Sequence, residues 1–162
     1  MTYPVLYLFP RTDLDSMNPG KAMAHTAHGA NAFVHAMRQE PDLADRDPEL
    51  MATFTAWENA TPQGFGTTIV LQATWNDMKT VNQILSTVPG VSAGLSTDPT
   101  YPYVVSNEVA DLIPESVDTM PRHPGAPGQT VMYRSEVTCV WVFGMKDNPR
   151  VESALRRFNL HP

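Results

Sequence analysis

The sequence predicts an α/β fold in which a small mixed sheet of about four strands is flanked by helices. Short runs rich in β-branched and aromatic residues alternate with segments of helical spacing, and Gly and Pro residues separate them. The predicted order is β-α-α-β-α-β-β-α, which favours a sheet covered by helices. The chain has 162 residues, and this length indicates a single domain over residues 1–162.

The first half of the chain predicts two strands and three helices. An apolar run between two prolines predicts the first strand, Val5–Phe9, and the run TTIVLQA predicts the second, Thr67–Ala73. Asn18 or Asp15 can accept the first free amides of the first helix, and Pro48 suits the first turn of the next. The predicted helices are Pro19–Arg38, Glu49–Asn59 and one from Asn76 or Asp77 to about Thr87, with an acidic turn over Asp42–Asp47 and a loop over Ala60–Gly66.

The second half predicts two strands and a final helix, separated by long loops. Its least regular part is Glu115–Gln129, where prolines and glycines are dense enough to predict a surface loop, inserted at about residues 115–130, that is either a lid or a mobile excursion. Glu108–Pro114 stays ambiguous between a turn and a helix. The other predicted segments are a loop over Pro89–Pro102, strands over Tyr103–Ser106 and Val131–Phe143, and a helix over Arg150–Phe158 that follows Pro149.

Composition limits the classes of function. The chain has 17 acidic and 11 basic residues, a formal net charge of −6, which disfavours a broad nucleic-acid surface but allows a small basic patch. The single cysteine, Cys139, excludes an internal disulfide and is typical of a reducing compartment. No signal peptide and no apolar run of about 20 residues is found, so we expect a cytoplasmic protein without membrane association.

The first helix has an unusual composition. Small residues leave little bulk on any of its faces, so the helix can approach a sheet or a ligand closely. Lys21, His25 and His28 follow at i, i+4 and i+7 and therefore project from one side. One cation and two imidazoles beside a helix N-terminus suit an anionic substrate.

The opening block resembles that of the type II peptidyl-tRNA hydrolases, the archaeal and eukaryotic kind. That family has an apolar strand, an R-x-D-L turn, a G-K pair and an Ala-rich helix with a histidine seven residues after the lysine. Fainter similarity in order and spacing covers nearly the whole chain outside the Pro/Gly-rich loop. The matching residues are Arg11, Asp13, Leu14, Met17, Gly20, Lys21, Ala24, His28 and Ala30.

The resemblance implies the family's fold and a metal-independent, cofactor-free hydrolysis of the ester between peptide and tRNA. The partner would be peptidyl-tRNA or a related nucleotide ligand, and a homodimer is compatible with the edges of a small sheet. The positions carried over as catalytic are Lys21, His28, Asn107 and Asp111. Those carried over as substrate-binding are Arg11, Asp13, Gly20, His25 and Thr138, with Cys139 as the neighbour of Thr138 in the last strand.

The chain departs from the family pattern at several functional positions, one of which is a lysine near the start of the second strand that is replaced by Thr67 or Thr68. His25 stands where the family usually has glutamine, and Asn107 to Asp111 replace an Asp-Ala-Gly-x-Thr turn. Asn107 can position a water or donate to an oxyanion, but it cannot act as a base. An alternative function is therefore a catalytically impaired relative that binds a nucleotide, a tRNA end or a protein partner.

Simpler interpretations remain open for several of these residues. Arg11 and Asp13 can form a structural turn pair, and His28 can be a packed helix histidine. A metal site at His25, His28 and His35 is a rival, although His35 lies more than about 10 Å along the axis from His28, too far for one zinc ion. A third function is a hydrolase or transferase for a small ligand, with Pro121–Gly128 as its lid; Cys139 lacks the elbow motif of a nucleophile.

Overall fold

The structure is a computed structural model, and it describes residues 2–114 and 122–161. It has a mixed α/β fold, as the sequence predicts. The elements in chain order are β1 (Pro4–Pro10), α1 (Pro19–Gln39), α2 (Leu43–Arg46), α3 (Pro48–Glu58), β2 (Thr67–Val70), α4 (Trp75–Leu85), β3 (Ser92–Ser106), α5 (Asn107–Leu112), β4 (His123–Pro124), β5 (Gln129–Met145) and α6 (Pro149–Leu155).

The sheet has five strands in the described part of the chain, one more than predicted. Its order is β2-β1-β5-β3, and β4 pairs with β5 outside this path. β1 and β2 are parallel, with Val5 opposite Thr67. β1 and β5 are antiparallel, from Pro4 opposite Met145 to Pro10 opposite Cys139. The sheet is therefore mixed, and β1 lies between a parallel and an antiparallel neighbour.

The chain divides into two compact units, residues 1–96 with 138–162 and residues 97–137. In the first unit β1 is buried on both faces, which explains its continuous apolar run. One face packs against α1 and α3 through an aromatic cluster in which the Phe33 and Phe143 ring centroids lie 4.8 Å apart. On the other face the Phe9 ring meets Phe158 edge-on at 5.2 Å.

The N-terminus of α1 is capped as the sequence predicts. The Asn18 side chain accepts a hydrogen bond from the Lys21 amide at 3.0 Å, and Pro19 occupies the first turn. Farther along, α1 lies very close to the sheet at Gly29. A methyl group at Gly29 would lie 2.6 Å from the Cys139 Sγ atom and 3.3 Å from the Leu8 side chain. Only glycine permits this approach.

The predicted loop over Pro89–Pro102 is wrong, because Ser92–Ser106 forms strand β3. Pro99 and Pro102 suggest a loop. However, β3 is the last strand in the order β2-β1-β5-β3, and prolines are tolerated on such an edge strand. Gly94 also belongs to the strand, because the Trp141 ring fills the space where a side chain would stand. The Trp141 indole nitrogen donates to the Ser92 hydroxyl at 3.3 Å.

Three other segments differ from the expectation. The predicted acidic turn contains the short helix α2, and the ambiguous segment after residue 107 forms α5, which the Ser106 hydroxyl caps by accepting from the Val109 amide at 3.3 Å. The predicted surface loop lies outside the described residues at 115–121. Beyond it, His123 and Pro124 pair with β5, and Gly128 makes the turn with a φ of +81°. That part is a hairpin.

We predict that Gly29→Ala destabilises the protein by about 1–3 kcal/mol, since the added methyl overpacks a buried contact. Urea unfolding measures the change. Gly20→Ala is the matched control on the same helix, because its methyl would meet only the Asn18 Oδ1 atom at 3.4 Å. Removing the sulfur with Cys139→Ala should relieve the clash, so the double variant should lose less stability than the two single losses added together. Strict additivity would contradict the proposed contact.

Candidate functional site

Lys21, His25 and His28 lie on one side of α1, and we call these three residues the basic flank. His25 is 4% exposed and belongs to the buried face of the helix, whereas His28 is exposed and Lys21 is half-buried. The two imidazole rings meet edge to face with their centroids 5.7 Å apart. The basic flank therefore presents one solvent-accessible imidazole that rests on a buried one.

The first turn of α1 has an unusual charge pattern. It contains Lys21 and no acidic residue. A helix N-terminus has a partial positive charge, so a lysine there is electrostatically unfavourable, whereas an aspartate or glutamate would be favourable. Lys21 and the helix dipole together create a local positive potential on an acidic protein. This potential favours a bound anion.

Gly20 lies in the same turn and is exposed. A methyl group on Gly20 would make only an ordinary contact, 3.4 Å from the Asn18 Oδ1 atom. Packing within the described chain therefore does not require glycine at this position, in contrast to Gly29. A ligand that approaches the backbone closely would require it.

The opposite flank of α1 is apolar. Met23, Thr26 and Ala30 line a cavity of about 530 Å³ together with Thr68 and Val70 of β2. At 100° per residue these helix positions lie on the other side of the buried stripe from Lys21 and His28. The two flanks of α1 thus differ in chemistry, because Lys21, His25 and His28 lie on one of them and Met23, Thr26 and Ala30 on the other.

Arg11 and Asp13 form a closed ion pair at the end of β1. The Arg11 Nε and Nη2 atoms donate to the two Asp13 carboxylate oxygens at 2.9 and 3.2 Å. Asp13 also accepts the Trp75 amide at 3.1 Å, and the Arg11 guanidinium lies 5.6 Å from the Trp75 ring centroid. The pair therefore fixes the start of α4 against the end of β1, as the structural interpretation proposed.

The environment of Asp13 lowers its pKa. Partial burial acts to raise the pKa, but the hydrogen bonds from Arg11 and from the Trp75 amide stabilise the carboxylate more, so the pKa lies below its usual value. Asp13 is therefore ionised at neutral pH and is not a base for chemistry near pH 7.

Thr138 and Cys139 point to opposite faces of β5, as successive strand residues do. Cys139 faces α1 through its contact with Gly29. Thr138 is fully buried beside Arg11, whose amide donates to the Thr138 carbonyl at 2.9 Å. Burial raises the pKa of the Cys139 thiol to about 12, so Cys139 stays protonated and is no nucleophile.

Asn107 and Asp111 belong to the second unit. The Asn107 Oδ1 atom accepts a hydrogen bond from the Thr130 hydroxyl at 2.9 Å, and the Asn107 amide donates to the Gly128 carbonyl at 3.0 Å. Asp111 is exposed on α5. The side-chain oxygen of Asn107 thus fastens the start of α5 to the hairpin of β4 and β5.

The structure separates the predicted site residues into three groups. Lys21, His25 and His28 lie together on α1 with Gly20 one position before Lys21. Arg11 and Thr138 lie on the face of the sheet away from α1, and Asp13 binds Arg11 from the connection between β1 and α1. Asn107 and Asp111 form the third group, in the second unit.

The sequence analysis missed a polar cluster on the second unit. The Tyr103 hydroxyl donates to the Glu136 carboxylate, and the Arg134 guanidinium lies 3.8 Å above the Tyr103 ring centroid. Burial and the hydrogen bond to Glu136 raise the pKa of Tyr103. The signal in the sequence is the i, i+2 spacing of Arg134 and Glu136, which places both on one face of a strand; their partner in β3 follows only from strand pairing.

Comparisons with known proteins give no family. No protein-family model matches the chain, and no curated protein matches it. In residues 2–114 and 122–161, no group of three His, Cys, Asp or Glu side chains is arranged to hold a metal ion. None of the described helices is long and apolar enough to span a membrane.

We predict that Asp13→Asn destabilises the protein by about 1 kcal/mol at neutral pH, because it weakens a charged hydrogen-bond pair that is partly screened by solvent. The folded-state pKa of Asp13 is lowered, so this stabilisation exists above the unfolded-state pKa and disappears as the pH falls through the folded-state pKa. Urea unfolding at about pH 7 and about pH 3 should show a difference that shrinks in acid. Asp15→Asn, at an exposed neighbour, should change little at either pH.

Proposed function

We propose that this protein is a metal-independent hydrolase that cleaves the ester between a peptide and the terminal ribose of tRNA. The observation that supports the proposal most directly is the basic flank of α1, where Lys21 in an acid-free first turn and the exposed His28 lie on the same side. The substrate is inferred from the segment between Arg11 and Ala30, which resembles the opening block of the type II peptidyl-tRNA hydrolases.

Ester hydrolysis needs a positive group where the carbonyl oxygen becomes an oxyanion. Lys21 suits this role, since its ammonium group and the α1 dipole act in the same direction. The same charge suits a phosphate of the tRNA end, and a local contact of this kind is compatible with the net charge of −6. Lys21 would thus contact either the carbonyl oxygen of the ester or a phosphate oxygen of the tRNA end.

The reaction also needs a group that accepts a proton from water. His28 suits this role, because its side chain is exposed and the unprotonated nitrogen of a neutral imidazole can accept a proton. In the proposed reaction the water oxygen attacks the ester carbonyl carbon while the His28 imidazole takes its proton. The bond from the carbonyl carbon to the ribose oxygen then breaks, and the ribose oxygen receives that proton. His25 would limit the rotation of the His28 ring through their edge-to-face contact.

Asn107 and Asp111 belong to the second unit, and only the resemblance brings them into the proposal. The Asn107 side chain would position the attacking water or donate to the oxyanion, and Asp111 would supply the carboxylate that the family has at another position of this turn. Gly20 would let the substrate approach the α1 backbone. Arg11, Asp13 and Thr138 have no direct role in the proposed reaction, because Arg11 and Asp13 bind each other and Thr138 is buried on the sheet face away from α1.

A binding protein without hydrolytic activity is the second candidate. One observation favours it: the Asn107 oxygen accepts from Thr130, so the position that would hold an aspartate in the family is occupied by an amide with a local structural bond. Such a protein would use Lys21 to hold a nucleotide or a tRNA end. Binding that weakens with salt and with Lys21→Ala, without release of tRNA, would identify it.

We predict that Lys21→Ala lowers kcat/KM for release of tRNA from peptidyl-tRNA by about 100-fold, the usual effect of losing one oxyanion-stabilising group. Lys79→Ala is the matched control, since it removes the same charge from an exposed position on α4. His28→Ala should be similarly impaired, and His35→Ala, at the other exposed histidine of α1, should not. If each basic-flank variant and its control lost the same kcat/KM, the basic flank would have no role in the reaction.

We also predict that Asn107→Asp raises the hydrolysis rate, since a carboxylate can act as a base where an amide cannot. The substitution conserves shape, and a carboxylate oxygen can still accept from Thr130, so the thermal unfolding midpoint should stay unchanged. Single-turnover release of tRNA measures the chemical step directly. An unchanged rate would show that Asn107 does not contact the attacking water.

A further inference from the structure

A groove of about 320 Å³ lies between α4 and α6 in the first unit, and we call it the α4–α6 groove. One face of α6 and the residues that follow it form one wall, with positions spaced at 3, 4 and 7 residues. Two turns of α4 form the other wall. The lining residues used below are Thr80, Ile84, Arg150, Ser153, Ala154 and Arg157.

The charge of the α4–α6 groove is opposite to that of the protein. Arg150 and Arg157 line it, and no carboxylate from the part of the chain that the structure describes does, although the chain has 17 acidic and 11 basic residues. Arg157 forms an ion pair with Asp77, in which the Arg157 Nη2 atom lies 3.0 Å from the Asp77 Oδ1 atom. The Arg150 guanidinium has no ion pair or hydrogen bond to any residue in the described ranges, 2–114 and 122–161. Arg150 is therefore available to an external carboxylate.

The base of the groove is apolar. Val81 is buried beneath it, Ala154 is partly buried, and Ile84 leaves 49% of its surface exposed. Ile84 lies outside the buried positions of α4, which are Met78, Val81 and Leu85. A phosphate backbone would gain nothing from Ile84, whereas an aliphatic side chain would bury it.

We propose that the α4–α6 groove binds an acidic amphipathic segment of another protein. Arg150 lies in the first turn of α6, whereas Arg157 lies two residues beyond the end of this helix at Leu155. A helical segment with a carboxylate that reaches Arg150 and leucines that cover Ile84 matches both the available charge and the apolar base. The inference does not depend on the proposed hydrolase activity.

The probe is a fluorescein-labelled, alanine-based helical peptide of about 15 residues with two glutamates seven positions apart and leucines three and four positions after the first. Two control peptides replace the glutamates by lysines or the leucines by serines. Fluorescence anisotropy measures binding to the full chain at low and at physiological salt. A single-stranded RNA of mixed sequence tests the other class of polyanion.

The protein variants separate the two contacts. Arg150→Glu should weaken binding of the acidic peptide at least 10-fold and should make the lysine peptide the better ligand. Ile84→Ser should weaken binding of the leucine peptide about 10-fold and leave the serine peptide unaffected. Arg46→Glu, an exposed arginine on α2, and Leu112→Ser, an exposed leucine on α5, are the matched controls. Circular dichroism verifies that each variant folds. If Arg150→Glu does not fold, Arg150→Gln is used in its place.

Three outcomes would overturn the proposal. The acidic peptide could fail to bind at protein concentrations up to about 1 mM, which would mean a weaker Kd than a specific site of this kind should have. Arg150→Glu and Arg46→Glu could weaken binding equally, which would show a general charge effect. The RNA could bind in an Arg150-dependent manner while the peptide does not, which would make the groove a phosphate site.

Discussion

The contact between Gly29 and Cys139 is the constraint on which the first unit depends. The helix backbone lies so close to β5 that no side chain fits between them, because an added methyl would lie 2.6 Å from the sulfur. This close approach is local to Gly29, because His25 and Phe33, its neighbours along the buried stripe of α1, are both large. It explains why Cys139 is inert, because the helix removes its thiol from solvent.

Close approach at the middle of α1 determines what its two sides can do. A helix held near a sheet exposes both flanks, and here the flanks have different chemistry. The β2 side is apolar and adjoins a cavity, whereas the other side has the lysine and the two histidines. His25 shows how packing and the basic flank are joined: its ring is buried with the core stripe of α1, and the ring of His28 rests on it. The packing of α1 against the sheet fixes His25, and His25 in turn supports the exposed imidazole of His28.

Local patterns predicted the elements whose signals are local. The cap at Asn18, helix α1 and strand β1 follow from capping chemistry, helical spacing and an apolar run. The first part of β3, before the predicted strand Tyr103–Ser106, was missed because its prolines are tolerable only at the end of the sheet order, which depends on strand pairing. The same dependence limited the site. Helical spacing placed Lys21 with His28, but only the register of β1 with β5 shows that Thr138 faces away from α1 while Cys139 faces it.

The charge at the start of α1 separates structural from functional explanations. Arg11 and Asp13 are explained by the fold, because each satisfies the other and together they fix the start of α4. The helix dipole does not explain Lys21, since the dipole opposes a cation in the first turn and that turn contains no acidic residue. Gly20 beside it is likewise not required by packing. A turn with an unfavourable cation and a glycine that sterics do not require is poorly suited to stability alone but well suited to an anion that contacts both the ammonium group and the exposed backbone.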